Sequence, residues 1–205
     1  MSSAFDTLNH ETLLNTLHSR FGIDDTVLSW FKSYLSNRCQ QVSVHGKLSQ
    51  KFDLDGGVPQ GSCLGPLLFI LYTSSLFDII ETQLPNVHCY ADDTQLYLSF
   101  CPNDAINRAS ALSAMEGCIH AVHKWMHSNS LMLNDSKTEF IIIGTRQQLA
   151  KVNIDGISVG ATRVSPSPSV RNLGAWFDAN MSMATHITKT CGTAFYYLHN
   201  IRRIR

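Results

Sequence analysis

The sequence predicts an α+β fold, and three observations carry that expectation. Ile106, Ala109, Leu112, Met115, Ile119, Val122 and Met126 recur at intervals of three and four, the stripe of one long helix packed on a sheet, from about Asn103 to Met126. Val87 to Tyr90 and Thr94 to Leu98 read as two strands on either side of a tight turn near Asp92-Asp93. Finally, 44% of the 205 residues are apolar, enough to bury the core of one domain, or of a domain with a small appendage.

The remaining elements follow in order. Leu13, Leu14, Leu17 and Phe21 are spaced for a helix over residues 10–21 that Gly22 ends. Asp24 or Asp25 can cap a second helix carrying Val27, Leu28, Phe31 and Leu35. Gln40 to His45 alternates around Val42 and Val44, Gly46 supplies a turn, and Lys51 to Leu54 can return as the partner strand. Three glycines and a proline stiffen Gly56 to Ser62 before Leu64-Gly65-Pro66 opens an apolar helix to about Ile80. Beyond the long helix, Leu131 to Leu133, Phe140 to Ile143 and Arg171 to Phe177 read as strands, and Val152 to Val159 as a hairpin turning at Asp155-Gly156. Ser165-Pro166-Ser167-Pro168 marks an irregular connection, and a final helix runs from about Met183 through Ile187, Cys191, Ala194, Tyr197, Leu198 and Ile201. The first sheet is complete near Arg146, which divides the chain into residues 1–145 and 146–205.

Charge excludes two classes. Only 16% of residues are charged, 16 bases against 16 acids, which fits neither a charged disordered tail nor an evenly basic nucleic-acid coat. The balance is uneven along the chain: residues 1–100 hold 10 acids and 5 bases, and residues 101–205 hold 6 acids and 11 bases. A cation site in front of a polyanion site gives this asymmetry, and so do two solvated surfaces of opposite sign. Six cysteines without a C-x-x-C pair indicate no zinc knuckle and no disulfide framework. Without a basic start, an apolar leader or a spanning run, the sequence points to a soluble, intracellular setting, nucleus or cytoplasm, rather than secretion or a membrane.

Two adjacent acids at a bend are, taken alone, turn residues. Their surroundings change that reading. Tyr90-Ala91-Asp92-Asp93 follows Gly57-Val58-Pro59-Gln60-Gly61-Ser62-Cys63-Leu64-Gly65-Pro66-Leu67-Leu68-Phe69 by one helix and one strand. Paired carboxylates suit hard divalent cations, which take oxygen ligands. A tight hairpin projects such groups from a rigid support with little freedom left to lose.

The pair of segments resembles the reverse transcriptase of LINE-like, non-LTR retrotransposons, whose palm carries a Y/F-A-D-D hairpin after a G-V-P-Q-G-S-x-L-G-P-L-L-F segment. Ala4-Phe5-Asp6-Thr7-Leu8-Asn9-His10 resembles the end of its first palm motif, and Leu133-Asn134-Asp135-Ser136-Lys137-Thr138 its later lysine motif. Asn172-Leu173-Gly174 and His186-Ile187 resemble the segments leading to the thumb, so the likeness spans nearly the whole chain. It implies a polymerase palm, an antiparallel sheet backed by the helices near 66–80 and 104–127, followed by a partial thumb-like segment.

By that resemblance Asp92 is the direct metal ligand and Asp93 an assisting one, for Mg²⁺ with Mn²⁺ as an alternative. Phe5 is the aromatic under the incoming sugar, with a buried core Phe as the competing reading. Pro59, Gln60, Gly61 and Tyr90 belong to the nucleotide-binding surface, against a plain structural turn before a helix. Lys137 meets the departing pyrophosphate, against a solvated surface lysine. The partners implied are an RNA template, a DNA primer and deoxynucleoside triphosphates. His123 and His127 share a helix face but lack a third ligand, the arginines of Ile201-Arg202-Arg203-Ile204-Arg205 can touch phosphates or simply fray, and Trp30, Trp125 and Trp176 read as core or interface aromatics.

One departure matters. The family's first motif reads D-x-x-x-x-F-D, and aligning Phe5-Asp6 puts its leading aspartate one residue before Met1. Asp6 matches the second, non-metal acid. The expectation is therefore a reverse transcriptase fragment, inactive on its own, with a barrier defect on the order of several kcal/mol. The alternative is a non-enzymatic palm relic that binds nucleic acid or protein.

Overall fold

The computed structural model describes residues 5–59, 61–84, 86–91 and 93–204. By backbone contact the chain divides into two compact units, Met1–Leu98 with Gly117–Asn134, and Ser99–Glu116 with Asp135–Arg205.

The first unit is built on helices. Helix α1 (His10–Phe21) starts where Asn9 Oδ1 accepts the Thr12 N–H at 2.9 Å and ends at Gly22, whose φ of 64° is the left-handed close of a helix. It buries Leu13 and Leu17, one turn apart. Helix α2 (Asp25–Leu35) buries only Leu35. The Asp24 side chain makes no cap hydrogen bond there and meets His18 instead.

The strand pair expected after α2 is one interrupted hairpin. Strand β1 (Cys39–Gln40) pairs with β4 (Phe52–Asp53), and β2 (Ser43–Val44) with β3 (Lys47–Leu48), all antiparallel. The turn uses His45 and Gly46 at φ 50° and 77°, the mirror-image geometry that follows the twist of the strands.

Helix α3 (Gly65–Glu81) takes Pro66 in its first turn, where the missing N–H costs nothing, and buries Leu68, Phe69, Tyr72, Thr73, Leu76 and Ile80. Each large side chain so buried contributes about 1.5–3 kcal/mol. Helix α1 packs on α3, and an Arg20–Asp78 pair with contacts of 2.5 and 2.8 Å ties them at the surface.

Strand β5 (Val87–Tyr90) pairs antiparallel with β6 (Asp93–Leu96) from Val87↔Leu96 to Tyr90↔Asp93. Ala91 enters the turn at φ 52°. The second strand thus begins one residue earlier than the sequence suggested. Helix α4 (Ala105–Ser128) buries Cys118, Ile119, Val122, Trp125 and Met126, with the indole N–H donating to Ser75 Oγ at 3.1 Å. The front of the expected stripe is not core, since Ile106 is exposed.

The second unit holds a 3₁₀ turn (Asp135–Lys137), helix α5 (Arg146–Leu149), hairpins β7 (Ile157–Val159)–β8 (Thr162–Val164) and β9 (Ser169–Asn172)–β10 (Ala175–Asp178), and helix α6 (Ala184–Ile204). Its buried apolar residues among those described are Ile157 and Val159.

Several expectations fail here for physical reasons. Residues 131–133 are not a strand, because the Leu131 N–H closes α4 on Met126 O at 2.8 Å. Residues 140–143 form a single bridge from Phe140 to Pro166, and a proline has no N–H with which to continue a ladder. The turn of the β7–β8 hairpin is Gly160-Ala161 rather than Asp155-Gly156. Gly156 serves packing, since a Cβ there would lie 2.6 Å from Val164 O. Arg171 to Phe177 is not one strand but a hairpin, bent at Leu173 and Gly174 with φ 46° and 87°.

The architecture is thus α+β, with mixed helices and small antiparallel strand pairs. A continuous palm sheet is not formed among the described residues, where every ladder has two strands.

Candidate active site

The segment from Phe5 to Asn9 is fastened to the glycine-rich loop by its backbone. The Val58 N–H donates to Phe5 O at 2.8 Å and the Gly57 N–H to Leu8 O at 2.7 Å, while Asn9 bridges Gly56. His10 Nε2 lies 2.7 Å from Gly57 O; a carbonyl can only accept, so that nitrogen carries the proton. Gly57 is required twice over: its φ is +80°, and a Cβ would come within 2.9 Å of both Phe5 O and Asp6 O.

The loop then turns into α3. Pro59 O accepts the Ser62 N–H at 3.1 Å, and Ser62 Oγ accepts the Gly65 N–H at 2.9 Å, so the serine caps a helix whose cap position, Leu64, has no polar side chain. Gly61 is exposed with φ +80° and open space around it. Gln60 lies outside the described residues.

Phe5 stacks on the fully buried Phe69, ring centroids 4.8 Å apart at 36°. These two rings, with Pro66, Ile70, Cys89, Tyr90 and Ala91, line a cavity of about 350 Å³. The structure therefore brings Phe5 and Tyr90, far apart in sequence, onto one apolar wall beside the β5–β6 turn. Tyr90 is itself 62% exposed. Burial pushes the Cys89 thiol up, and the cross-strand Thr94 hydroxyl, 3.7 Å from its sulfur, pulls it back in part.

Of the two turn acids, Asp93 opens β6 and is exposed, and Asp92 lies outside the described residues. The donor chemistry suits a hard divalent cation: Asp93 offers a solvent-facing carboxylate adjacent in the chain to a second one. Among the described residues there is no group of three His, Cys, Asp or Glu side chains that could hold a metal ion. Lys137 sits exposed in the 3₁₀ turn of the second unit. Phe69, Ile70 and Cys89 are site residues that sequence reasoning did not single out; Phe69 and Ile70, three and four residues after Pro66, share its helix face, which was the available signal, while nothing local marked Cys89.

The family model described as reverse transcriptase (RNA-dependent DNA polymerase) matches residues 1–177 of the 205. The chain belongs to the reverse transcriptase family.

Among curated relatives, this reverse transcriptase domain is 26% identical over 211 residues to the probable RNA-directed DNA polymerase from transposon BS of Drosophila melanogaster, covering 98% of the chain and 22% of that protein. It is 24% identical to the RNA-directed DNA polymerase from mobile element jockey of the same fly, covering 92% of the chain and 20% of the relative. It is 30% identical over 82 residues to the retrovirus-related Pol polyprotein from type-1 retrotransposable element R2 of Popillia japonica, covering 40% and 13%. The domain is of the non-LTR retrotransposon kind and spans about a fifth of the length of the first two relatives. Reverse transcriptases use divalent metal ions and bind an RNA template, a primer and deoxynucleoside triphosphates. No helix among the described residues is long and apolar enough to cross a membrane.

Proposed function

We propose that this reverse transcriptase domain is the palm of an RNA-directed DNA polymerase, and that the cavity between Phe5 and Tyr90 receives the sugar and base of an incoming deoxynucleotide. The observation that supports it is the convergence of Phe5, Gly57–Val58 and Tyr90–Ala91 within one unit.

In this reading the Phe5 ring, fixed by Phe69 behind it and by its backbone bond to Val58, fills the space that a 2′-hydroxyl would need. The Pro59–Gly61 loop, Gln60 included, covers the nucleotide, and Gly61 lets backbone approach it. Asp92 and Asp93 hold Mg²⁺, or Mn²⁺ in its place, which when bound stabilises charge on the entering and leaving oxygens. Lys137 supplies positive charge to the departing pyrophosphate. Residues 146–205 lead into a thumb, with α6 as its first helix. Asp6 keeps its place next to Phe5 and takes no metal role.

Photo-crosslinking with a base-modified deoxynucleoside triphosphate tests this. The expected label falls on peptides containing Phe5 and Tyr90, competed better by deoxy- than by ribonucleotides. Label elsewhere, or equal competition, contradicts it. The isolated domain is expected to extend a primer on a poly-rA template no better than its Asp92→Asn variant does. Robust Asp92-dependent synthesis would overturn that part.

A further inference from the structure

Residues 26–52, most of α2 and the interrupted hairpin after it, contain no aspartate or glutamate but carry Lys32, Arg38, Lys47 and Lys51. The first hundred residues hold only 5 bases against 10 acids, so four of those five bases fall in this one acid-free stretch. Lys32, Lys47 and Lys51 are exposed.

Three planar groups stack on the same stretch. The rings of Trp30 and Tyr34, one helical turn apart, lie 5.5 Å centroid to centroid and 11° from parallel. Arg38 Cζ sits 4.5 Å from the Tyr34 ring centroid, and its Nε–H donates to Tyr34 O at 2.7 Å, which holds the guanidinium in place. Phe31 braces Trp30 edge-on at 5.2 Å and 79°. Of the two readings the sequence left for Trp30, core or interface, the core one fails, since Trp30 is 53% exposed.

An exposed indole at the end of a stacked column, on a stretch whose cations meet acids only at its two ends, Asp25 and Asp53, suits a base with its phosphates. We propose that α2 and the following hairpin bind a single strand of RNA, one base extending the Trp30–Tyr34–Arg38 column while Lys32, Lys47 and Lys51 neutralise phosphates. Aromatic planes with a positively charged track are how sequence-tolerant single-strand sites work. A protein partner is disfavoured, because its apolar face would have to bury these lysines unpaired. The choice of RNA over DNA rests on the polymerase reading; stacking and charge do not.

The test is fluorescence anisotropy of the 205-residue chain with labelled oligo-rU, oligo-dT and duplex RNA of about twelve nucleotides, between roughly 50 and 200 mM salt. Oligo-rU should bind best, with a log–log salt slope that falls by about 0.7 for each of Lys47→Gln and Lys51→Gln. Trp30→Leu, apolar but not planar, should weaken binding roughly tenfold, and Trp30→Phe much less. Equal binding by Trp30→Leu, preference for duplex, equal affinity for oligo-dT, or an unaltered salt slope would overturn the proposal. So would Trp30-dependent self-association without RNA binding. Phe5→Ala separates the two readings: it should leave RNA binding intact, and if it also leaves nucleotide selection intact, the polymerase reading fails while the single-strand site stands without its preference for RNA.

Discussion

The Phe5 ring rests against Phe69 at 4.8 Å, one ring on the segment before α1 and the other buried in α3. Phe69 has no exposure, so it backs Phe5 rather than meeting ligand itself. Phe69→Leu should destabilise the first unit by about 1–2 kcal/mol in chemical denaturation, short of the cost of a Phe→Ala deletion. It should also narrow the preference of the cavity for deoxy- over ribonucleotides. Leu76→Ala, costlier at about 2–5 kcal/mol, should nonetheless leave that preference unaltered, because Leu76 does not line the cavity.

Two glycines of the loop separate strain from collision. Gly57 and Gly61 share a φ of +80°, but an added Cβ meets Phe5 O and Asp6 O at 2.9 Å only at Gly57. Gly61→Ala should cost about 1–2 kcal/mol for the left-handed backbone alone. Gly57→Ala should cost roughly 3 kcal/mol or more and release Phe5, visible as lost protection of the Val58 amide in hydrogen exchange.

Acid stability carries the signature of one exposed ion pair. The hydrogen bond from Arg20 holds the Asp78 carboxyl below its usual range. A depressed folded value means that the contribution is full above the unfolded value of about 3.9 and is lost as pH falls through the folded one. Arg20→Gln should therefore lower the melting temperature slightly near neutrality, with the difference vanishing in acid once the Asp78 carboxyl is protonated in the folded state as well. A difference that persists there would point to lost packing instead.

Asp178 organises the entry to α6. Its carboxylate accepts the Ser182 N–H at 2.9 Å, the Ser182 hydroxyl at 3.0 Å and the Asn180 N–H at 3.2 Å, and these bonds, the Ser182 amide first, hold it below the carboxylate range. Asp178→Ala should fray the start of α6, read as lost amide protection around Ala184. Asp178→Asn should retain part of it, since its side-chain oxygen still accepts.

Helices were legible because a strong apolar period coincides with a good cap: Asn9 before α1, Gly22 after it, Pro66 inside α3. Hairpins were less so. In the second unit two glycines compete for one turn, and nothing local reveals that Gly156 is needed against Val164 while Gly160 makes the bend. Helix α5 was missed although Thr145 and Gln148 spell a capping box, because four residues carry too little periodicity. At the site, the glycine loop and the Tyr90 hairpin that the sequence singled out lie beside Phe5, but the wall made by Phe69, Ile70 and Cys89 depends on how α3 meets β5. Trp30 was read as a core or interface aromatic because indoles usually bury; its exposure follows from α2 burying Leu35 alone.

The most direct test of the polymerase site is Mn²⁺ titration followed by amide NMR on the intact chain. The account predicts paramagnetic broadening centred on Tyr90, Ala91, Asp93 and Thr94, abolished in Asp92→Asn/Asp93→Asn while the melting temperature holds. Broadening centred elsewhere, or none at the hairpin, would contradict it.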